Sequence, residues 1–190
     1  MRHMWSKIKK KLFTENPQFL IVGLGNPGEK YENTTHNSGF RVVESLKEKE
    51  GFPQFKKDNT LNSLVSRKEE TLLLLPLTFM NLSGHAVAKA IKRYNIPLQN
   101  VIVIHDDHDL EAGSIRISFS SGSAGHRGVQ SIISCLKSKD FNRLRIGVRE
   151  GERKAKTVVL KKASKKIKDT EEKATEELIS KDTSPRTIKG

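Results

Sequence analysis

A single cysteine, Cys135, is all the thiol chemistry this chain carries. It allows no internal disulfide and no multi-thiolate metal cluster. Its place after Ile132 and Ile133 in a helical pattern reads as a small, buried apolar residue. Long apolar runs are missing too. The strongest, Leu72–Leu75, has the length of a strand and falls far short of a membrane span. The basic N-terminus is followed by neither the apolar stretch nor the small-residue cleavage site of a secretory signal. No G-x-S-x-G, C-x-x-C or H-E-x-x-H pattern occurs. This argues against a serine elbow, a dithiol redox centre and a zinc protease helix. Acids are scarce relative to bases: 22 Asp and Glu stand against 35 Lys and Arg, for a net charge of +13.

The 190 residues suit one domain with a substantial core. The positive charge is spread unevenly, with +4 on residues 1–16, +5 on 151–190 and the remaining +4 between them. A positive field concentrates polyanions, so nucleic acid is the natural partner. Solvated surface lysines explain the same composition without any partner.

Residues 1–16 read as a basic N-terminal extension, with Trp5, Ile8 and Leu12 on one face of a short helix. Residues 17–180 read as a single α/β domain and 181–190 as a loose tail. Buried strands are expected at Phe19–Leu24 and Val101–Ile104. Leu61–Ser66 and Thr71–Leu75 read as an antiparallel pair, and 115–119 and 144–148 alternate as further strands. Helices are expected from about Ser38, from Leu82 to Tyr94, from Val129 to Leu136, and weakly over 170–180. Helices interleaved with buried strands give a twisted, mixed, mainly parallel sheet with helices on both faces. The segments 25–38, 77–81, 105–110 and 120–128 read as loops that each follow a strand. In such sheets loops of this kind converge outside the strand ends, where ligands bind.

Residues 23–28 read GLGNPG, which satisfies a G-x-G-x-x-G pattern. No helix opens within it, Pro27 interrupts it, and ten polar residues follow. A tight turn presenting Asn26 explains the glycines better than a dinucleotide cofactor does. His36 lies among Thr34, Thr35, Asn37 and Ser38, in polar company suited to a general base. Asp106, at the end of a buried strand, is placed to accept a proton from one ring nitrogen of His36, with Asp107 and Asp109 as competitors. His105–Asp109 also raises a metal reading. Neighbours in sequence rarely all turn inward, so no metal is expected. Asn81 serves equally as a helix N-cap or as a holder of water or a carbonyl. Arg127 suits a phosphate or a stacked base, or simply a helix start. Arg143 and Arg145 flank Leu144 and suit either an RNA backbone or surface ion pairs. What remains after these exclusions is activation of water by a His–Asp pair.

These blocks together resemble the bacterial-type peptidyl-tRNA hydrolases. The resemblance runs from Phe19 to Val148 through GLGNPG at 23–28, Tyr31 with TTHN at 34–37, PLTFMNLSG at 76–84, HDDHDL at 105–110, SAGHRG at 123–128 and RLRIG at 143–147. It implies a monomeric, cytoplasmic α/β enzyme with no cofactor, no membrane and no obligate protein partner. It implies cleavage of the ester joining a peptide to the terminal ribose of tRNA. His36 falls at the catalytic histidine and Asp106 at its carboxylate partner. Asn26, Asn81, Tyr31 and Phe79 fall on the substrate- and water-positioning side, and Arg145 falls at a basic residue that meets tRNA. One position departs: Arg127 stands where the family usually has asparagine. A non-catalytic RNA-binding or RNA-processing protein of the same fold, a small-molecule esterase and a nucleotide-dependent oxidoreductase are the rival readings.

Overall fold

The computed structural model describes residues 16–149, together with Lys165 and Asp169. The readings of 1–15, of Val158–Leu160 and of a helix over 170–180 lie outside the described residues. Among the described residues seven strands form one sheet: β1 (Phe19–Gly23), β2 (Lys56–Asp58), β3 (Ser63–Lys68), β4 (Thr71–Pro76), β5 (Val101–Glu111), β6 (Ile115–Phe119) and β7 (Asn142–Arg149). Their order is β2-β3-β4-β1-β5-β7-β6. The inner strands β4, β1, β5 and β7 run parallel, while β2, β3 and β6 add antiparallel edges.

The inner strands are apolar on both faces because helices cover both. From β1, Leu20 and Val22 face a cluster that includes Val87 and Ala90 of α2 (Ser83–Tyr94) and Val129 and Ile132 of α3 (Arg127–Leu136). Ile21 faces the opposite cluster, with Val42, Val43 and Leu46 of α1 (Ser38–Lys49). Two glycines set how closely these layers approach. A Cβ on Gly39 would lie 2.4 Å from the Ile104 carbonyl oxygen, and one on Gly84 would lie 2.2 Å from that of Ser131. The start of α1 therefore rests directly on β1 and β5, and α2 packs backbone to backbone on α3. No helix among the described residues is long and apolar enough to cross a membrane.

Three differences from the sequence reading have physical causes. Residues 105–110 are not a loop. They continue β5, pairing with β7 through Asp107 opposite Gly147 and, after a register shift, at Glu111 opposite Arg149, and the carboxylates of Asp106 and Asp107 are held by His126 and Arg145. Polar Lys56–Asp58 forms an edge strand, where one wet face needs no apolar pattern. Cys135 is only partly buried, with its Sγ 3.9 Å from His85 Nδ1.

Candidate active site

A cavity of about 580 Å³ opens at the carboxyl ends of β1, β4 and β5, lined by residues that include Asn26, His36, Phe79, Asn81, Asp106 and Arg127. Each comes from a segment that leaves or extends the sheet. His36 is carried by a single 3-10 turn, Thr35–Asn37, that feeds straight into α1. Its ring is half exposed, and Nδ1 lies 2.9 Å from Asp106 Oδ2. Asp106 is 1% exposed.

The second oxygen of the same carboxylate is also held. His126 Nε2 lies 3.0 Å from Asp106 Oδ1, while His126 Nδ1 accepts the Gly128 and Val129 N–H groups at the start of α3. Because Nδ1 accepts, the ring proton sits on Nε2 and is donated to Asp106. Burial opposes ionisation of Asp106. The His126 hydrogen bond, with favourable electrostatics from the His126 and His36 rings, outweighs it and holds the carboxyl below its ordinary pKa of 3.8. An ionised Asp106 accepts the Nδ1 proton of His36, which leaves Nε2 of that ring as the free base.

Asn26 is fixed at three points. Its N–H donates to Asn37 Oδ1 at 2.8 Å, its carbonyl accepts from Asn37 Nδ2 at 3.1 Å, and its own Oδ1 accepts the Met80 N–H at 2.8 Å. With Oδ1 engaged, the carboxamide NH₂ is the group left to serve a ligand. Asn81 lies in a 3-10 turn, Met80–Leu82, and does not cap α2, whose N-cap position is Leu82. Phe79, 54% exposed, lines the cavity and meets Tyr31 edge to face with centroids 6.5 Å apart, while Tyr31 itself stands outside the lining.

Residues 20–184 match the peptidyl-tRNA hydrolase family. The chain belongs to that family. The peptidyl-tRNA hydrolase of Caldanaerobacter subterraneus subsp. tengcongensis is 48% identical over 136 residues, covering 70% of this chain and 74% of that one. That of Clostridium tetani is 44% identical over 165 residues, covering 85% of each. The crystal structure of the Acinetobacter baumannii peptidyl-tRNA hydrolase superposes with a TM-score of 0.67 at 36% identity, covering 77% of this chain and 78% of that one.

This peptidyl-tRNA hydrolase fold brings His36, Asp106, Asn26, Asn81, Phe79 and Arg127 to one cavity, but it separates the other two arginines from it. Arg143 is a correction to the sequence reading. It is 2% exposed, donates to the Gly122 carbonyl at 2.7 Å and lies 5.8 Å from the Phe141 ring centroid. Burial, then the Arg145 charge, draws its pKa down. It props the 120–125 loop from within and presents no free guanidinium to RNA. Arg145 is partly exposed but engaged, pairing through Nε with Asp107 Oδ2. Arg127 is exposed at the first turn of α3.

Asn37 and His126 hold the site together, yet their sequence signal is faint: an amide beside a histidine, and a histidine just before a helix. His108 joins them despite its place among sequence neighbours. Asp106 and His108 are two apart on one strand, and His108 Nε2 comes within 3.4 Å of Asp106 Oδ2.

Proposed function

We propose that His36, oriented by Asp106, is the general base for hydrolysis of the ester between a peptide and the 3′-terminal ribose of tRNA, the reaction of the family to which the chain belongs. The observation that carries this is the 2.9 Å contact between His36 Nδ1 and Asp106 Oδ2, in a cavity that also holds two carboxamides. With Nδ1–H given to Asp106, Nε2 takes a proton from water as the oxygen attacks the ester carbonyl. The carbonyl π electrons move to oxygen. The Asn26 NH₂ donates to that oxyanion, and Asn81 positions water and peptide. Collapse of the intermediate expels the ribose oxygen, and the His36 imidazolium returns its proton to it. The products are a free carboxylic acid and a tRNA with a free terminal hydroxyl.

Arg127 carries no acceptor, so it does not hold water as an asparagine does. At the cavity rim it faces the phosphates of the RNA terminus. Tyr31 and Phe79 offer aromatic faces to the peptide, and Arg145 adds positive charge beyond them. Asn26, His36, Asn81 and Asp106 all line the cavity from one chain, so the site needs no second subunit, which supports a monomer; a cytoplasmic location rests on the family match alone.

The test is peptide release from a purified N-acylaminoacyl-tRNA, with free aminoacyl-tRNA and a simple ester as comparison substrates. The expected result is rapid release from the first and little from the others. Release should slow as salt rises, because phosphate contacts are screened and counterions compete. RNA binding without release would contradict hydrolysis, and salt-insensitive cleavage of the simple ester would favour the small-molecule esterase.

A further inference from the structure

One imidazole in the cavity takes no part in that reaction. His108 is well exposed, with 64% of its side chain open, and its Nε2 lies 3.4 Å from the Asp106 oxygen that also meets His36 Nδ1 at 2.9 Å. One ligand atom from each of His36, Asp106 and His108 lies within 4.8 Å of the other two. Zinc bonds of about 2.0–2.1 Å in a tetrahedron place ligand atoms roughly 3.4 Å apart. Two edges of this triangle, 2.9 and 3.4 Å, are therefore close to that spacing, and the third is no longer than 4.8 Å, with the His108 ring exposed.

The donor set is two imidazoles and one ionised carboxylate, with solvent available for a fourth position. That combination suits a borderline dication such as zinc or cobalt. Magnesium demands six oxygens in near-octahedral array. His126 supplies the supporting contact, since its Nε2–H holds the other Asp106 oxygen at 3.0 Å and fixes the carboxylate plane.

We propose that His36, Asp106 and His108 form an inhibitory site for a zinc-like transition-metal dication. The metal occupies the place of the hydrogen bond between His36 and Asp106. To bind through Nδ1, the His36 ring must carry its proton on Nε2. Nε2 then has no lone pair for water, and the base is lost through a change of tautomer. Inhibition rests on the role proposed for His36, whereas binding does not.

The test uses the full chain freed of metal with EDTA, then dialysed. Cobalt(II) is titrated and followed by visible absorption, and zinc chloride is titrated by calorimetry and in the peptide-release assay. We expect one ion per chain with tetrahedral cobalt bands displaced by zinc, and release inhibited by zinc, restored by EDTA and indifferent to magnesium. His108→Leu should weaken both zinc affinity and the inhibitory midpoint by about tenfold or more, each compared with that variant's own metal-free rate. His85→Ala, which removes the imidazole beside Cys135, should leave the titration unchanged. Equal binding by wild type and His108→Leu, or faster release with zinc, would overturn the proposal. If cobalt and zinc bind as expected while the metal-free chain releases no peptide, the metal site stands and only the hydrolase reading fails.

Discussion

Asn37 grips both backbone polar groups of Asn26, accepting its N–H and donating to its carbonyl. Asn37 is 4% exposed and lines no part of the cavity. Replacement by alanine should orphan two part-buried backbone groups. We expect a stability loss of about 1–3 kcal/mol by thermal or denaturant unfolding, using about 0.5–1.5 kcal/mol for each hydrogen bond. Turnover should fall more than KM changes, because the Asn26 amide loses its aim while the substrate surface is intact.

His126→Ala should act in two places at once. It removes the acceptor for the first N–H groups of α3 and one donor to Asp106. Loss of a helix cap costs about 1 kcal/mol. Release should also slow with little change in KM, since Asp106 and through it His36 become less firmly oriented. A variant that loses stability but keeps full turnover would separate the cap from the carboxylate contact.

His105 gives the fold an acid-sensitive element. Burial, assisted by His126, lowers its pKa from 6.5 to about 3. Its Nδ1 bonds to the Asp106 carbonyl. In the unfolded chain the ring takes a proton as pH falls through 6.5, while in the fold it stays neutral until about 3. Stability from this residue is therefore complete above 6.5 and declines as pH falls between those values, by at most about 1.4 kcal/mol per pH unit. Denaturant unfolding in EDTA buffers should show this slope, and His105→Asn should flatten it.

Arg127 and Arg143 should separate cleanly by salt dependence. Arg127→Ala removes an exposed rim charge and should reduce the salt slope of tRNA binding by about one. Arg143→Ala should leave that slope unchanged and lower the melting temperature, because its guanidinium supports Gly122 from inside. Filter binding across a salt series, beside thermal unfolding, reads both effects.

The inner sheet was legible because strands buried on both faces are written as unbroken apolar runs, as in Phe19–Gly23 and Thr71–Pro76. Asn95 was legible as a helix stop and takes the left-handed C-cap conformation with φ 54°. The continuation of β5 through His105–Glu111 was not. Its carboxylates are held by partners far along the chain, such as His126 for Asp106 and Arg145 for Asp107. That His36 and Asp106 meet was legible because one precedes and the other ends an apolar segment at the sheet's carboxyl edge. Arg143 was misplaced, since alternation along a strand tells which residues share a face but not whether that face is wet. His108 was discounted by adjacency, although two residues along a strand restore the same side.

The most direct test of the His36–Asp106 base is a double-mutant cycle in single-turnover peptide release, comparing wild type, His36→Ala, Asp106→Asn and the pair in EDTA. If the two act as one unit, each single change lowers the rate by about 10²–10⁴ and the pair is scarcely worse than His36→Ala alone. A folded His36→Ala chain releasing peptide at close to the wild-type rate, or fully additive losses in the pair, would contradict the account.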